Sequence, residues 1–559
     1  MLWMSRAAVF FKLNDIFDDF QSSRFIKRMV SMSQNSSVAA IDSPIHPIFK
    51  PLFFIVVIAA LVYIGSALFA DLANTSALNF LPFVMLSLAL FVALGFEFAN
   101  GFHDTANAVV TVIYTNALSA PSAVGLAGIA NFLGVLSASG VVAYGILALL
   151  PVELILNVGS SQGFAMVFAL LLAAIIWNLG TWMAGIPASS SHTLIGSIIG
   201  VGLMNRFLTP AGLVSSSVNW DQAIKVGKAL LFSPLLGFAL AGIIFLICRV
   251  VFSRKPELFE PPEGTNPPPF WIRSLLVASC AGVSFVHGSN DGQKGMGLIM
   301  LVLIGIVPMA YSLNKTMDAT AVHSFAVLSE KTAHILSPKE VSGNLSQSRQ
   351  VMTEYLQGSG SAPQVLSAVA AVEMNLSQVA TQYKTFDKVP ASAVHDLRND
   401  TYLVSACLKR LEKDGALSAL SATDKQTLKD SSTSLNQTTQ FIPTWVKFAV
   451  ALALGLGTLV GWKRIAVTVG EKIGNRPMNY GQGFAAQVST IAMIGAADVY
   501  GLPVSTTHVL NGSVAGTMTA NKSGLQWGTI KRILYAWVLT LPAAMTLSAA
   551  LYWLFMEFI

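Results

Sequence analysis

Apolar runs recur along almost the whole chain. They lie near 51–70, 81–99, 123–150, 164–185, 192–208, 229–252, 272–287, 296–313, 443–462, 482–500, 505–520 and 530–556. A stretch of about 17–25 apolar residues spans a bilayer as a helix, and shorter ones read as half-spans, so the pattern predicts about 10–12 transmembrane helices with some broken or re-entrant. Three polar tracts punctuate it: residues 1–50, a Pro-rich linker at 253–271 (SRKPELFEPPEGTNPPP at its heart), and a long block over 314–440. Between them lie a first membrane half, 51–252, and a second half in two pieces, 272–313 and 441–559. Within the block, Val394, Leu397, Val404, Leu408 and Leu411 recur at helical spacing, which predicts a small soluble helical insertion. The fold class expected is an all-α polytopic membrane protein carrying that insertion.

Two polar motifs interrupt the apolar background, and each occurs twice in the same order. Gly101-Phe-His-Asp104-Thr-Ala-Asn107 is followed by Pro187-Ala-Ser189-Ser190-Ser191-His192. Gly288-Ser-Asn290-Asp291-Gly-Gln-Lys294 is followed by Pro503-Val-Ser505-Thr506-Thr507-His508. The separation is 83 positions in the first copy (104 to 187) and 212 in the second (291 to 503). The excess of 129 is close to the length of the polar block, so removing that block leaves two near-equal repeats. Duplicated, Gly/Pro-interrupted membrane segments mark a secondary transporter whose binding site lies at the repeat interface.

Composition agrees with a membrane location: 53% of residues are hydrophobic and only 11% charged, with mean hydropathy +0.62, against roughly 25% charged in soluble domains. The net charge of +6 is spread over loops, which fits the positive-inside rule and not a nucleic-acid partner. Basic residues at Arg249–Lys255, Arg273, Lys463–Arg464 and Lys472–Arg476 predict cytoplasmic loops, and a crossing at 443–462 would then leave the polar block outside. Residues 1–50 have too short an apolar stretch for a signal peptide and read as an amphipathic surface helix or as an extended start upstream of Met29 or Met32. Cys248, Cys280 and Cys407 have no metal or redox spacing. No nucleotide loop or catalytic triad stands out, so neither ATP-driven transport nor an enzyme is expected.

The hydroxyl-rich motifs carry the first chemical argument. Proline followed by three hydroxyl residues predicts a helix start, whose unpaired N–H groups and positive dipole end suit a tetrahedral oxyanion. Ser189, Ser190, Ser191, Ser505, Thr506 and Thr507 are therefore candidate phosphate or sulfate ligands; a capped structural helix is the alternative. Asp104 and Asp291 would repel an anion unless protonated or paired with a cation, which makes them candidate coupling-ion residues at glycine-containing helix breaks. Aligning them sets His103 against Asn290 and Asn107 against Lys294. Lys294 offers a tethered cation and a histidine titrates near neutral pH, so proton coupling and a divalent metal travelling with the anion are both open; so is a purely structural Lys294–Asp291 pair. His192 and His508 match between copies and read as hydrogen-bonded structural residues, with metal ligation the alternative, while Glu97 and Asn178 are weaker polar candidates.

Gly101-Phe-His-Asp-Thr-Ala-Asn-Ala108 and His287-Gly-Ser-Asn-Asp-Gly-Gln-Lys-Gly295, with Pro187–His192 and Pro503–His508, resemble the signatures of the inorganic phosphate transporter family. The similarity covers nearly all of 50–559 and is closest to the bacterial low-affinity permeases. It implies two inverted-topology repeats, often dimeric, that carry phosphate across the bacterial cytoplasmic membrane. By position it places ion and phosphate contacts on Asp104, Asn107, Asn290 and Asp291, with the two hydroxyl triplets on phosphate. The bacterial relatives are proton symporters of neutral metal–phosphate complexes, so magnesium or a similar ion would be cargo and no resident cofactor is expected. Phe102-His103 and Lys294 depart from the sodium-coupled pattern. The expectation is a proton-coupled phosphate symporter working by alternating access; a sodium-coupled phosphate or sulfate symporter of the same fold is the near alternative, and a phosphate-responsive signalling protein the distant one.

Overall fold

The computed structural model describes residues 49–73, 80–156, 160–210, 218–262, 266–337 and 344–558. Nearly all of the reading made for residues 1–50 lies outside them. Twenty α-helices follow one another along the described residues. In the first half they are α1 (Phe49–Ala73), α2 (Phe80–Tyr114), α3 (Ala120–Ser137), α4 (Val141–Leu147), α5 (Val152–Leu156), α6 (Ser161–Met183), α7 (Ser190–Leu208) and α8 (Trp220–Val251). The second half opens with α9 (Phe270–Ile306) and the single turn α10 (Pro308–Tyr311). The inserted block supplies α11 (Ala319–Leu336), α12 (Leu345–Leu356), α13 (Ala362–Tyr383), α14 (Ala391–Lys413) and α15 (Ala422–Thr439). The chain then returns through α16 (Thr444–Thr458), α17 (Lys463–Glu471), α18 (Tyr480–Val499), α19 (Thr506–Ala520) and α20 (Trp527–Met556). The one β feature among the described residues is an isolated bridge, Gly474 to Leu525.

Among the described residues seven helices are long and apolar enough to cross a membrane, and an eighth counts if α15 and α16, bent by 72°, are taken as a pair. The shortfall from 10–12 has two causes. The runs at 272–287 and 296–313 fuse into the 37-residue α9, while α7 and α18 carry polar residues that lower their hydropathy and α19 is only 15 residues long. The first signature likewise lies inside one 35-residue helix, α2. The helix breaks expected beside Asp104 and Asp291 are therefore absent. The signature glycines serve close approach: an added Cβ at Gly101 would collide with the Leu454 carbonyl of α16, and one at Gly288 with the Asn131 carbonyl of α3. A helix interior tolerates glycine when that missing side chain lets another backbone pack against it.

The same exchange repeats at the hydroxyl-rich helices. Gly196 and Gly200 of α7 lie against the Leu541 and Met545 carbonyls of α20, while Gly512 and Gly516 of α19 lie against the Pro234 and Phe238 carbonyls of α8. Each half thus lends its hydroxyl-rich helix to the last helix of the other, α7 to α20 and α19 to α8. The signature helices behave alike, α2 packing on α16 and α9 on α3, and α2 and α9 also meet each other at the centre. The outer faces are greasy. Phe54, Ile58 and Phe69 of α1 and Leu235, Ile243 and Ile247 of α8 are exposed, as lipid-facing residues are.

The inserted helices form their own core, with Phe325, Met352, Val369, Leu376, Val404 and Leu411 buried. Val394, Leu397 and Leu408 join it. The bundle is tied to the first half by Arg398 Nη1 donating to the Ile155 carbonyl at 3.0 Å and by an ion pair between Lys413 and Asp221.

Candidate functional site

Local sequence builds the two helix starts in the same way. Ser189 is the N-cap of α7 and its Oγ accepts from His192 N at 3.1 Å; Ser505 caps α19 and accepts from His508 N at 3.1 Å. Each cap satisfies one of the four N–H groups that a helix start leaves unpaired. Ser190, Ser191, Thr506 and Thr507 then occupy the first turns. The two starts touch: Ser191 Oγ donates to the Val504 carbonyl at 2.7 Å, and the His192 and His508 rings lie 4.5 Å apart.

Both aspartates sit against these starts. Ser190 Oγ donates to Asp104 Oδ2 at 3.0 Å and reaches Asp291 Oδ2 at 3.4 Å. Thr507 Oγ1 donates to Asp104 Oδ1 at 2.5 Å and accepts from Asn107 Nδ2 at 2.9 Å. Lys294 Nζ pairs with Asp291 Oδ1 at 2.7 Å and donates to Ser191 Oγ at 2.5 Å. His103 Nδ1 lies 3.2 Å from Asp104 Oδ1. Elements 400 residues apart in sequence meet at one point because the halves exchange helices.

The remaining candidates distribute around this centre. Asn290 turns outward from the pair and donates to the Leu502 carbonyl at 3.2 Å, holding the loop before α19. Thr506 Oγ1 is buried without a hydrogen-bonding partner among the described residues. His508 stacks on Trp537, ring centroids 4.0 Å apart. Asn178 is fully buried in α6 with neither side-chain polar atom paired among the described residues.

Sequence reasoning passed over His287. Its Nε2 lies 3.6 Å from Asp291 Oδ2 and 3.9 Å from Asp104 Oδ2, and Nδ1 contacts Asn131 Oδ1 at 2.9 Å. One ligand atom each from Asp104, His287 and Asp291 fall within 4.8 Å of one another, and all three residues are buried. The signal was present in the sequence: His287 is four residues before Asp291 and therefore on the same helix face. Two carboxylates and one imidazole at that spacing are a donor set suited to a divalent cation.

Asp104 is 2% exposed, and Asp291 and Lys294 are fully buried, so this conformation closes the centre to water. Two carboxylates face a single ammonium there. An anion entering such a site needs further positive charge, from a metal ion or protons, since an unpaired charge in low dielectric is strongly unfavourable.

Comparison with known proteins places these residues in context. The phosphate transporter family PHO4 matches residues 100–548. The low-affinity inorganic phosphate transporter PitA of Escherichia coli K12 is 42% identical over 494 residues, covering 85% of this chain and 97% of that protein. PitB of the same organism is 42% identical over 496 residues, with the same coverage. A probable low-affinity inorganic phosphate transporter of Bacillus subtilis is 29% identical over 473 residues, 84% of this chain and 97% of the relative. A solved sodium-dependent phosphate transporter superposes with a TM-score of 0.47 at 20% identity, over 85% of this chain and 100% of that one. With a family match over most of its length and relatives 42% identical along almost their whole chains, the chain belongs to the phosphate transporter family and is a membrane phosphate transporter.

Proposed function

We propose that the protein imports inorganic phosphate by proton symport across a bacterial cytoplasmic membrane, as a neutral metal–phosphate complex, through alternating access of two inverted-topology repeats. The observation that carries this reading is the juxtaposition of Asp104, Asp291 and His287 with Ser190, Ser191 and Thr507. The first three offer ligand atoms to a divalent metal entering as cargo; the hydroxyls and free N–H groups of the two helix starts suit phosphate oxygens. A metal–phosphate complex neutralises both the carboxylates and the anion, which lowers the cost of carrying either through a low-dielectric centre.

Lys294 supports protons over sodium. Its ammonium already lies 2.7 Å from Asp291, taking one cation position beside that carboxylate. The helix exchange supports alternating access: in this reading α7–α20 and α8–α19 move as units, and separation at the Ser191–Val504 contact opens one face at a time. A homodimer is expected alongside.

The test is phosphate uptake in proteoliposomes under an imposed proton gradient, sodium-free, with and without magnesium. Gradient-driven accumulation that needs magnesium is the expected result. Accumulation driven by sodium and indifferent to the proton gradient would falsify proton coupling, and magnesium independence would remove the metal–phosphate cargo. Asp104→Asn and Asp291→Asn should each abolish uptake in correctly inserted protein; normal uptake by both sinks the site assignment.

A further inference from the structure

The site described above uses one stretch of α2, yet the polar face of that helix is longer. Glu97, Asn100, Asp104, Asn107 and Thr111 recur at alternating intervals of three and four, which sets them in one stripe. At 1.5 Å per residue the stripe runs about 21 Å, most of the thickness of a hydrocarbon core. All five residues are 4% exposed or less. Glu97 Oε1, Asn100 Oδ1, Asn107 Oδ1 and Thr111 Oγ1 find no hydrogen-bonding partner among the described residues. Each such atom costs several kcal/mol in a dry membrane interior, so a row of them points to a path that admits water or cargo.

Glu97 is the ionisable member of that stripe outside the aspartate centre. It lies two turns from Asp104 and is fully buried. Among the described residues its side-chain donor is Asn100 Nδ2, at the long distance of 3.5 Å. Its carboxyl rests on the backbone of Gly295, where any added Cβ would collide with it. The charged groups that act on it are Asp291 and Lys294, both on α9. An ionisable carboxyl buried in a membrane helix is by default a functional position, and proton relays are among the roles such groups serve.

We propose that Glu97 carries the coupled proton, with Lys294 as its counter-charge. This inference rests on the proton-symport reading above. The step balances simply. The Glu97 carboxylic acid releases H⁺ to water along the stripe and becomes a carboxylate; Lys294, one residue from the glycine it rests on, supplies the compensating positive charge. Uptake of H⁺ from the opposite face restores the acid. Phosphate binds at the helix starts and leaves from them in the same cycle, so proton and cargo use adjacent stations, and Glu97 need not touch phosphate.

The experiment compares two modes in proteoliposomes. Net phosphate uptake driven by a proton gradient requires Glu97 to load and unload. Exchange of internal for external radiolabelled phosphate at equal concentrations needs no net proton movement. Glu97→Gln, nearly isosteric, should lower gradient-driven uptake by about tenfold or more while leaving exchange within about twofold of wild type. Retention of both modes overturns the proposal. Loss of both in protein that remains monodisperse also overturns it, since the residue would then be structural or part of the phosphate site. If Glu97→Gln is not recovered folded, Glu97→Asp decides: an altered pH profile of uptake supports the role, and an unchanged one refutes it. Wild-type protein whose uptake ignores the proton gradient fails the parent reading instead, and the two failures are distinguished by that control.

Discussion

Replacing Glu373 by glutamine should make the inserted bundle indifferent to pH. Glu373 lies on α13 and is fully buried. One oxygen accepts from Ser431 Oγ of α15 at 3.1 Å, and the other has no partner among the described residues. Burial pushes its carboxyl up to about 8, against about 4.3 for an unfolded glutamate. The folded bundle therefore holds a proton that the opened bundle releases. Its stability is fully present below about pH 4.3, falls as pH rises and levels off above about 8. At about 1.4 kcal/mol per pH unit the total is roughly 5 kcal/mol, an upper figure because local relaxation reduces it. Between pH 6 and 8 the opening constant of α13 and α15 should rise about fiftyfold. Hydrogen exchange of peptides covering α13 and α15 in the intact protein, corrected for intrinsic rates, measures this directly. Glu373→Gln keeps the shape without the charge, so its protection should be flat with pH and exceed wild type at pH 8. Wild-type protection that holds constant from pH 6 to 8, or a glutamine variant less protected throughout, refutes the reasoning.

Two other perturbations probe the membrane core. Ser190→Ala removes the hydroxyl that reaches both aspartates and should raise the KM for phosphate about fivefold to tenfold, with little effect on folding; an unchanged KM in vesicle uptake excludes Ser190 from the site. Gly200→Ala drives a methyl into the Met545 carbonyl and Ser548 Oγ of α20, at a cost of about 1–3 kcal/mol. Its thermal midpoint in detergent should fall, whereas Gly65→Ala, which meets nothing within 4 Å, should not lower it. Equal midpoints for Gly200→Ala and wild type would show that the helix exchange tolerates more space than the packing implies.

Much of this protein was legible in one dimension. Apolar run length marked the membrane class, and the paired Pro-to-Gly motifs located both helix starts to within one turn, because proline and a Ser cap act within one helical turn. The continuity of α2 and α9 was not legible. Glycine and asparagine weaken a helix locally, and only the backbone seated against Gly101 and Gly288 explains why they do not break it here. His287 was missed for a related reason: nothing in a sequence says that the face it shares with Asp291 will meet Asp104.

The sequence by itself determined which residue types stand at matched places in two halves, and hence the expectation of an oxyanion held with compensating cations. Only the tertiary structure decided that the halves exchange helices, so that Ser190 from one helix start bridges Asp104 and Asp291 while Thr507 from the other reaches Asp104. The physical reason is range. Caps, turns and hydropathy act over a few residues, whereas the site exists because close backbone packing at glycines brings side chains hundreds of positions apart within hydrogen-bonding distance.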